Sequence, residues 1–268
     1  MTQNIKLVTG GAGYLGQAIV DALVDRGEHV RILDLNAPDD TDAADFVRGD
    51  IRDPAAVRRA VEGVDTVYHN VATVPLAKDK EEFVSVNVGG TRTLLEACRA
   101  ARVRKVVNTS SSAIYGVPSR NPVDLTTLPA PGESYGQAKW DAERVCQEFA
   151  RDLDISIVRP RTIIGHGRLG IMQIVFEWIR QGRNVPVLGG GHNLYQFVHA
   201  DDCVSACIAA AAAPPLVALA GAEDFCSMRE TLEGLIAHAG TGSRVVSVPM
   251  KPAVFGMKVT SRLGLSPL

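Results

Sequence analysis

The stretch TGGAGYLG, from Thr9 to Gly16, constrains the fold of this chain more than any other part of it. It follows the apolar run KLV and opens a run with helical spacing, so a strand, a tight turn and a helix follow one another without a spacer. Gly10, Gly13 and Gly16 stand in a GxxGxxG arrangement. Glycine permits the turn, lets backbone approach a diphosphate, and lets the helix seat closely on the strand. The first N–H groups and the positive end of the helix then face the anion. A glycine-rich match alone is weak evidence, and the second strand supplies its context. HVRILDL places Asp34 about twenty residues downstream, where a carboxylate accepts both ribose hydroxyls and repels a 2′-phosphate. Leu35-Asn36-Ala37 bring no cation, so the expected cofactor is NAD and not NADP. GDIRD adds Asp50 and Ile51, a carboxylate and an amide that can edge an adenine, while Asp53 caps a helix that starts at Pro54.

Short β-branched runs alternate with longer helical patterns: KLVTG, a helix over 14–25, HVRILDL, a helix over 54–61, DTVYHNVA, a helix over 82–101, and RKVVNTSSS. That alternation predicts an α/β fold, a Rossmann-type doubly wound parallel sheet with helices on both faces. A helix from Ser134, the strand DISIVRP, a helix over 171–180, the turn Gly189-Gly190-Gly191 and a strand YQFVH follow. The expected organisation is a NAD-binding domain over 1–160 and a smaller C-terminal substrate-binding lobe over 161–268, some of whose segments return to the sheet. Proline and glycine cluster over 117–132, as in a surface loop.

The formal net charge of −2 gives no footprint for nucleic acid or an anionic membrane surface. The apolar run over 207–215 is too short to span a bilayer, and no secretion signal opens the chain, so a soluble protein is expected. The five cysteines, Cys98, Cys146, Cys203, Cys207 and Cys226, form an odd set without CxxC spacing. That suits a reducing compartment, with the cytoplasm as the expected location. The six histidines form no HExxH or acid-flanked cluster, so no metal site is expected, and His69 reads as a packed or hydrogen-bonded residue. Cys203 and Cys207 share a helix face and read as core. Asp201-Asp202 read as a helix start. No GxSxG is present, which excludes a serine nucleophile elbow.

GESYGQAKW puts Tyr135 and Lys139 one helical turn apart on one face. The spacing is cheap by itself, and a third member is needed. RKVVNTSSSAIYG supplies it: the strand ends in Ser110-Ser111-Ser112 at the carboxyl edge of the sheet, where doubly wound folds bind their ligands. Removing an alcohol proton as hydride leaves requires a base active near neutrality, whereas free tyrosine titrates near 10. Closing that gap takes roughly 4 kcal/mol, about what one positive charge at 4 Å supplies at an effective dielectric near 20. A lysine one turn away and the oxidised nicotinamide can supply that between them, and a serine hydroxyl can share the developing charge on the oxygen.

Together these segments resemble the extended short-chain dehydrogenase/reductase family, in its NAD-dependent epimerase/dehydratase branch. TGGAGYLG, Asp34, NVAT, VNVGGTRTLLEA, TSSSAIYG, YGQAK, VRPRTIIGHG and FVHADD follow in the family's order over most of the chain. The resemblance implies Tyr135 as acid/base, Lys139 as its partner and ribose ligand, and Ser111, four residues before Tyr115, as the substrate-oxygen ligand, with Ser112 as the fallback. It also implies cofactor contacts at Gly10, Gly13, Tyr14, Leu15, Gly16, Asp34, Asp50, Ile51, Val71, Ala72, Asn87, Tyr135, Lys139 and Pro160. For the substrate it points to Thr73, Ser112, Thr162, Arg168 and Tyr195. A nucleotide sugar oxidised to a transient ketone is the implied substrate, and a homodimer paired through the helices over 82–101 and 134–151 is the implied assembly. Dehydration is disfavoured, because Ser112-Ala113 stand where that branch carries an Asp-Glu pair.

Two positions depart from the nucleotide-sugar enzymes, which carry an asparagine near Thr162 and a diphosphate-binding arginine at Tyr195. Arg161, Arg168 and Arg183 are the guanidinium candidates to replace that arginine. GHNLYQFVHADD also resembles the hydroxysteroid dehydrogenase branch, which would oxidise an apolar secondary alcohol. A non-catalytic NAD-binding regulator usually lacks part of the Ser-Tyr-Lys set, which is intact here.

Overall fold

The computed structural model of the protein describes residues 4–38, 44–72, 80–165, 167 and 171–249. In chain order the elements are β1 (Ile5–Thr9), α1 (Tyr14–Val24), β2 (His29–Asp34), β3 (Asp45–Arg48), α2 (Pro54–Val61), β4 (Val64–His69), α3 (Lys80–Glu82), a π-helical segment (Phe83–Gly90), α4 (Thr91–Ala101), β5 (Lys105–Thr109), a 3-10 turn (Ser112–Tyr115), α5 (Ser134–Phe149) and β6 (Asp154–Pro160). There follow β7 (Thr162–Ile164), α6 (Ile171–Arg180), β8 (Val185–Leu188), β9 (Leu194–Tyr195), β10 (Phe197–His199), α7 (Ala200–Ala212), β11 (Val217–Ala220), β12 (Cys226–Ser227), α8 (Met228–Ala239) and β13 (Val245–Val248). They group into two units, Met1–Ile163 with Val198–Gly221, and Ile164–Phe197 with Ala222–Leu268.

In the first unit seven strands run parallel in the order β11-β6-β5-β4-β1-β2-β3. This is the doubly wound α/β sheet that the alternation predicts. Successive residues of a strand point to opposite faces, and here each face has its own core. Ile5 and Leu7 of β1 join the cluster containing Val57, Leu94, Leu95 and Val145 of α2, α4 and α5. Val8 joins the cluster containing Ile19, Leu23, Cys203 and Cys207 of α1 and α7. A parallel sheet covered on both faces has no solvated side, which is why all five residues of β1 are buried.

The strand register sets where chemistry can gather. Leu33, Thr9, His69, Asn108 and Ile157 are successive partners in one row across the sheet. Asp34, Gly10, Asn70 and Thr109 therefore begin the carboxyl-edge segments together.

The second unit has its own small core of Ile179, Val185, Val187 and Leu232. There β8 pairs in parallel with β13, and β9 pairs antiparallel with β12. A reciprocal Ser227–Glu230 capping box starts α8, and Gly240 at φ 63° ends it.

Local structure differs from expectation in two places. The helix over 82–101 is not uniformly α: Phe83–Gly90 is π-helical, in a run of Val84, Val86, Val88, Gly89 and Gly90 whose residues are poor α-helix formers. The strand YQFVH is broken at Gln196 into β9 and β10. Asp201 and Asp202 lie in the first turn of α7, the helix start expected, and the cap is His199, whose ring accepts from the Asp201 amide at 3.3 Å. Among the described residues no helix is long and apolar enough to cross a membrane.

Candidate active site

The glycine turn is shaped by backbone. Gly10 has φ 71°, which suits glycine, and its amide donates to Leu33 O at 2.8 Å. A Cβ at Gly16 would stand 1.9 Å from Gly10 O, so α1 closes on the turn more tightly than any side chain allows. Gly13 caps α1 without a side chain, which leaves the first helical N–H groups directed to whatever anion the turn holds. Tyr14 and Leu15 begin the helix, and Leu15 faces the core. Asp34, at the end of β2, accepts from Ala12 N at 3.1 Å and Asn36 N at 3.0 Å, so its carboxylate is fixed against the turn.

Around this turn lies a pocket of about 250 Å³. It brings together Gly10, Gly13, Asp34, Asp50, Ile51, Val71 and Ala72 from the sequence-derived cofactor set. Its wall also includes Leu33, Leu35, Gly49, Arg52, Asn70, Glu82 and Val86, which sequence reasoning missed. Arg52 could have been found, since it follows Ile51 directly. Its guanidinium grips Asp50 (Nε to Oδ1 at 2.9 Å) and holds that carboxyl below its ordinary range. Tyr14, Leu15, Gly16, Asn87, Tyr135, Lys139 and Pro160 do not line the pocket. Asp53 caps α2 by accepting from Ala55 N at 2.9 Å.

The three serines after β5 have separate partners. Ser110 is buried and donates to Glu143 Oε1. Ser111 is half-buried and caps the 3-10 turn by accepting from Ala113 N at 3.1 Å, a bond that uses a lone pair and not the hydroxyl proton. Ser112 accepts from Arg161 Nη1 at 3.1 Å, so this arginine is held at the serine segment.

Glu133 caps α5 by accepting from Gly136 N at 3.0 Å, which places Tyr135 and Lys139 in its first two turns on one face. Tyr135 is half-buried, its ring edge-on to Phe83 of the π-helical segment at 6.3 Å. Lys139 is buried, and its Nζ donates to Thr109 O at 2.9 Å, two residues before Ser111. Burial pulls this ammonium down to about 8 against the raising influence of Glu143 and Cys146. It stays charged at neutral pH.

His69 is the packed residue expected. Thr91 Oγ1 donates to Asn87 O at 2.6 Å and so accepts from His69 Nε2, while Nδ1 accepts from Thr9 Oγ1 at 2.7 Å. The ring is held neutral as one tautomer. Burial, with the Lys139 charge, pulls it to about 3. Asn87 is buried within the π-helical segment and linked to this chain through its carbonyl. Pro160 closes β6 in the core.

The substrate candidates divide between the two units. Thr162 is exposed at the start of β7, and Tyr195 of β9 packs on Phe197 at 4.9 Å. Arg183 lies over the Trp178 ring at 5.5 Å, a packing role. Thr73 and Arg168 lie outside the described residues. Among the described residues no group of His, Cys, Asp or Glu could hold a metal ion, and all five cysteines are free thiols.

The sequence profile described as the NAD dependent epimerase/dehydratase family matches residues 6–218. A Sinorhizobium fredii relative described as uncharacterized is 50% identical over 266 residues, covering 98% of this chain and 67% of that protein. The mouse (Mus musculus) sterol-4-alpha-carboxylate 3-dehydrogenase, decarboxylating, is 32% identical over 210 residues, covering 76% of this chain and 58% of its own length. The chain thus spans about two thirds or less of these relatives. The Thermotoga maritima UDP-glucose 4-epimerase solved with UDP-glucose superposes with a TM-score of 0.83 at 26% identity, covering 91% of this chain and 85% of that one.

Proposed function

The chain belongs to the NAD dependent epimerase/dehydratase family, and on that premise we propose that it is an epimerase-type oxidoreductase acting on a sugar hydroxyl, that of a nucleotide sugar, with Tyr135 as acid/base. The cofactor is NAD. The residues fit it: a Cβ at Gly10 would meet Val71 N at 3.0 Å and one at Gly16 would meet Gly10 O, so the turn keeps a backbone-walled cradle open. In this reading the uncapped start of α1 holds the diphosphate, Asp34 the adenosine ribose, and Asp50 with Ile51 the adenine edge. When bound, the nicotinamide supplies a reversible hydride acceptor.

The observation that carries the proposal is the buried Lys139 ammonium fixed on Thr109 O, one turn from Tyr135 and two residues before Ser111. Lys139 favours the phenolate of Tyr135, which takes the proton of the substrate hydroxyl. Ser111 donates to the same oxygen and holds its angle. In an epimerase the ketone turns over and takes the hydride back on its other face while Tyr135 returns the proton, so no reduced cofactor accumulates. Ala113 offers no acid for dehydration. We assign substrate recognition to residues 161–268 and propose a cytoplasmic homodimer paired through the helices over 82–101 and 134–151.

A second reading, an NAD-dependent dehydrogenase of an apolar secondary alcohol, draws support from Tyr195. This residue stands at the position expected for a diphosphate-binding arginine, and its ring packs on Phe197. One experiment separates the two. UDP, GDP, CDP and dTDP sugars are offered beside sterols while NADH absorbance and sugar products are followed. Epimer formation without net NADH supports the first reading. Stoichiometric NADH from sterols alone replaces it with the second.

A further inference from the structure

The face of α5 that carries Tyr135 and Lys139 continues one turn to Glu143, which has no solvent exposure. Glu143 accepts from Arg159 Nε at 2.9 Å through one oxygen and from Arg159 Nη2 at 2.6 Å through the other. Its first oxygen also takes the Ser110 hydroxyl. The remaining arm of Arg159 donates to Tyr115 Oη at 2.7 Å, with the guanidinium 5.5 Å from that ring's centre. One ion pair, drawn from α5 and β6, therefore grips the residue before Ser111 and the residue that ends the turn after it. Two charges withdrawn from water are an expensive way to gain stability, because apolar replacements of similar volume often serve as well.

We propose that the Glu143–Arg159 pair is a positioning element for the site read above, fixing the helix that bears Tyr135 and Lys139 in register with the segment that bears Ser111. The inference rests on that reading for its purpose and on the bonds just described for its geometry. Lys139 and Glu143 hold consecutive residues of the β5 end, Thr109 and Ser110, so loss of one anchor lets α5 shift against the serine. Glu143 also acts on charge. The ionisable groups that interact with Lys139 are Glu143 and Cys146 of α5 and His69 of β4, and Glu143, itself paired with Arg159 of β6, is the foremost influence opposing the loss of the lysine proton.

The test uses the full chain labelled with 13C-lysine, the Lys139 resonance being assigned by its disappearance in Lys139→Met. Glu143→Gln keeps shape and removes charge: its Lys139 titration midpoint is expected about one pH unit lower, with amide exchange at residues 111–113 about tenfold faster. Glu143→Asp keeps charge and loses reach, so exchange rises while the midpoint stays. A folded Glu143→Gln protein with wild-type midpoint and exchange overturns the proposal, as does a midpoint that falls equally in Glu143→Asp. Should Glu143→Gln not fold, Arg159→Lys carries the test. It loses the fork to Glu143 and the bond to Tyr115, so unchanged exchange over 111–115 overturns the proposal. None of these readouts requires substrate. If Tyr135→Phe turned over normally, the functional reading would fail while the positioning measurements stood unaffected.

Discussion

The two halves of the candidate site are built on opposite principles. The half around the glycine turn is open and relies on backbone: Gly10, Gly13 and Gly16 shape it, and its charged pair, Asp50 with Arg52, is in contact with water. The half around α5 is buried and relies on charge. Lys139, Glu143, Arg159 and His69 are all withdrawn from solvent, each with a named hydrogen-bond partner. The difference fits the two tasks. Holding a diphosphate needs many weak donors in fixed places, whereas moving a proton needs one group whose charge state the protein sets. Substitutions in the buried half should therefore change protonation and rate, and those in the open half should change affinity.

The largest effect expected is on Tyr135→Phe. Loss of a positioned acid/base removes roughly 10³-fold in kcat, about 4 kcal/mol, while NAD affinity stays within about threefold. Steady-state turnover of whichever alcohol the substrate panel identifies, with NAD binding followed by fluorescence, checks both parts. A fall in NAD affinity as large as the fall in kcat would erase the contrast between the halves.

Next in size is a pH effect at His69. Its folded-state value of about 3 lies below the ordinary 6.5, so between those values the unfolded chain binds a proton that the native ring refuses. Stability is thus complete above 6.5 and is lost as pH falls toward 3, by about 3 kcal/mol at pH 4. Urea titrations between pH 7 and 4 should show that slope in the wild type. His69→Gln should lower stability at pH 7 and flatten the slope. Carboxylates titrate in the lower part of this window, so the comparison is made between pH 7 and 5, where a slope equal in wild type and His69→Gln would mean that the buried half does not set the charge of His69.

These two residues also show what the sequence can disclose. The sheet, its strands and the glycine turn are local patterns of period and turn chemistry, and they are legible. That Tyr135 and Lys139 share a helix face is legible through spacing, while the choice of Ser111 among three serines comes from the family resemblance. Glu143 was within reach, at i+4 from Lys139, but nothing local says that Arg159, sixteen residues on, will meet it. The π-helical Phe83–Gly90 was hidden because its apolar spacing passes for an α-helix, and its consequence, Phe83 against Tyr135, is tertiary. Arg52 was overlooked because a cation next to a predicted adenine carboxylate looks like solvated surface.

Third is Gly16→Ala. A methyl placed 1.9 Å from Gly10 O must push α1 away from the turn, a backbone shift of about 2 kcal/mol, with NAD affinity down by about a hundredfold. Gly27→Ala is the control. Gly27, unlike Gly16, has positive φ, at 73°, but a Cβ there meets nothing within 4 Å, so it should lose about 1 kcal/mol of stability and keep its NAD affinity. Thermal unfolding and NAD titration of both variants separate strain from cradle closure. Equal losses of affinity would show that close backbone approach is not what the turn supplies.

The smallest effect is expected at Arg52→Ala, and it bears most directly on how the open half works. Arg52 is bonded to both oxygens of Asp50 and reaches Ser85 Oγ at 3.3 Å, yet nearly half of its side chain meets solvent. Water screens such a pair, so its removal should change stability by only about 0.5 kcal/mol. The Asp50 carboxyl would rise toward its ordinary range and remain ionised at pH 7. The stability this carboxylate contributes through its depressed value is present above the ordinary carboxylate range and is lost as pH falls through the native value, so any difference between wild type and variant should shrink in acid. For NAD the two accounts of the pocket part company. If backbone geometry does the holding, Kd rises less than about fivefold and its salt dependence is unchanged. If the guanidinium itself stacks on or neutralises the ligand, Kd rises far more, and the rise grows as ionic strength falls. The second outcome would make the open half a charge-built site like the buried one.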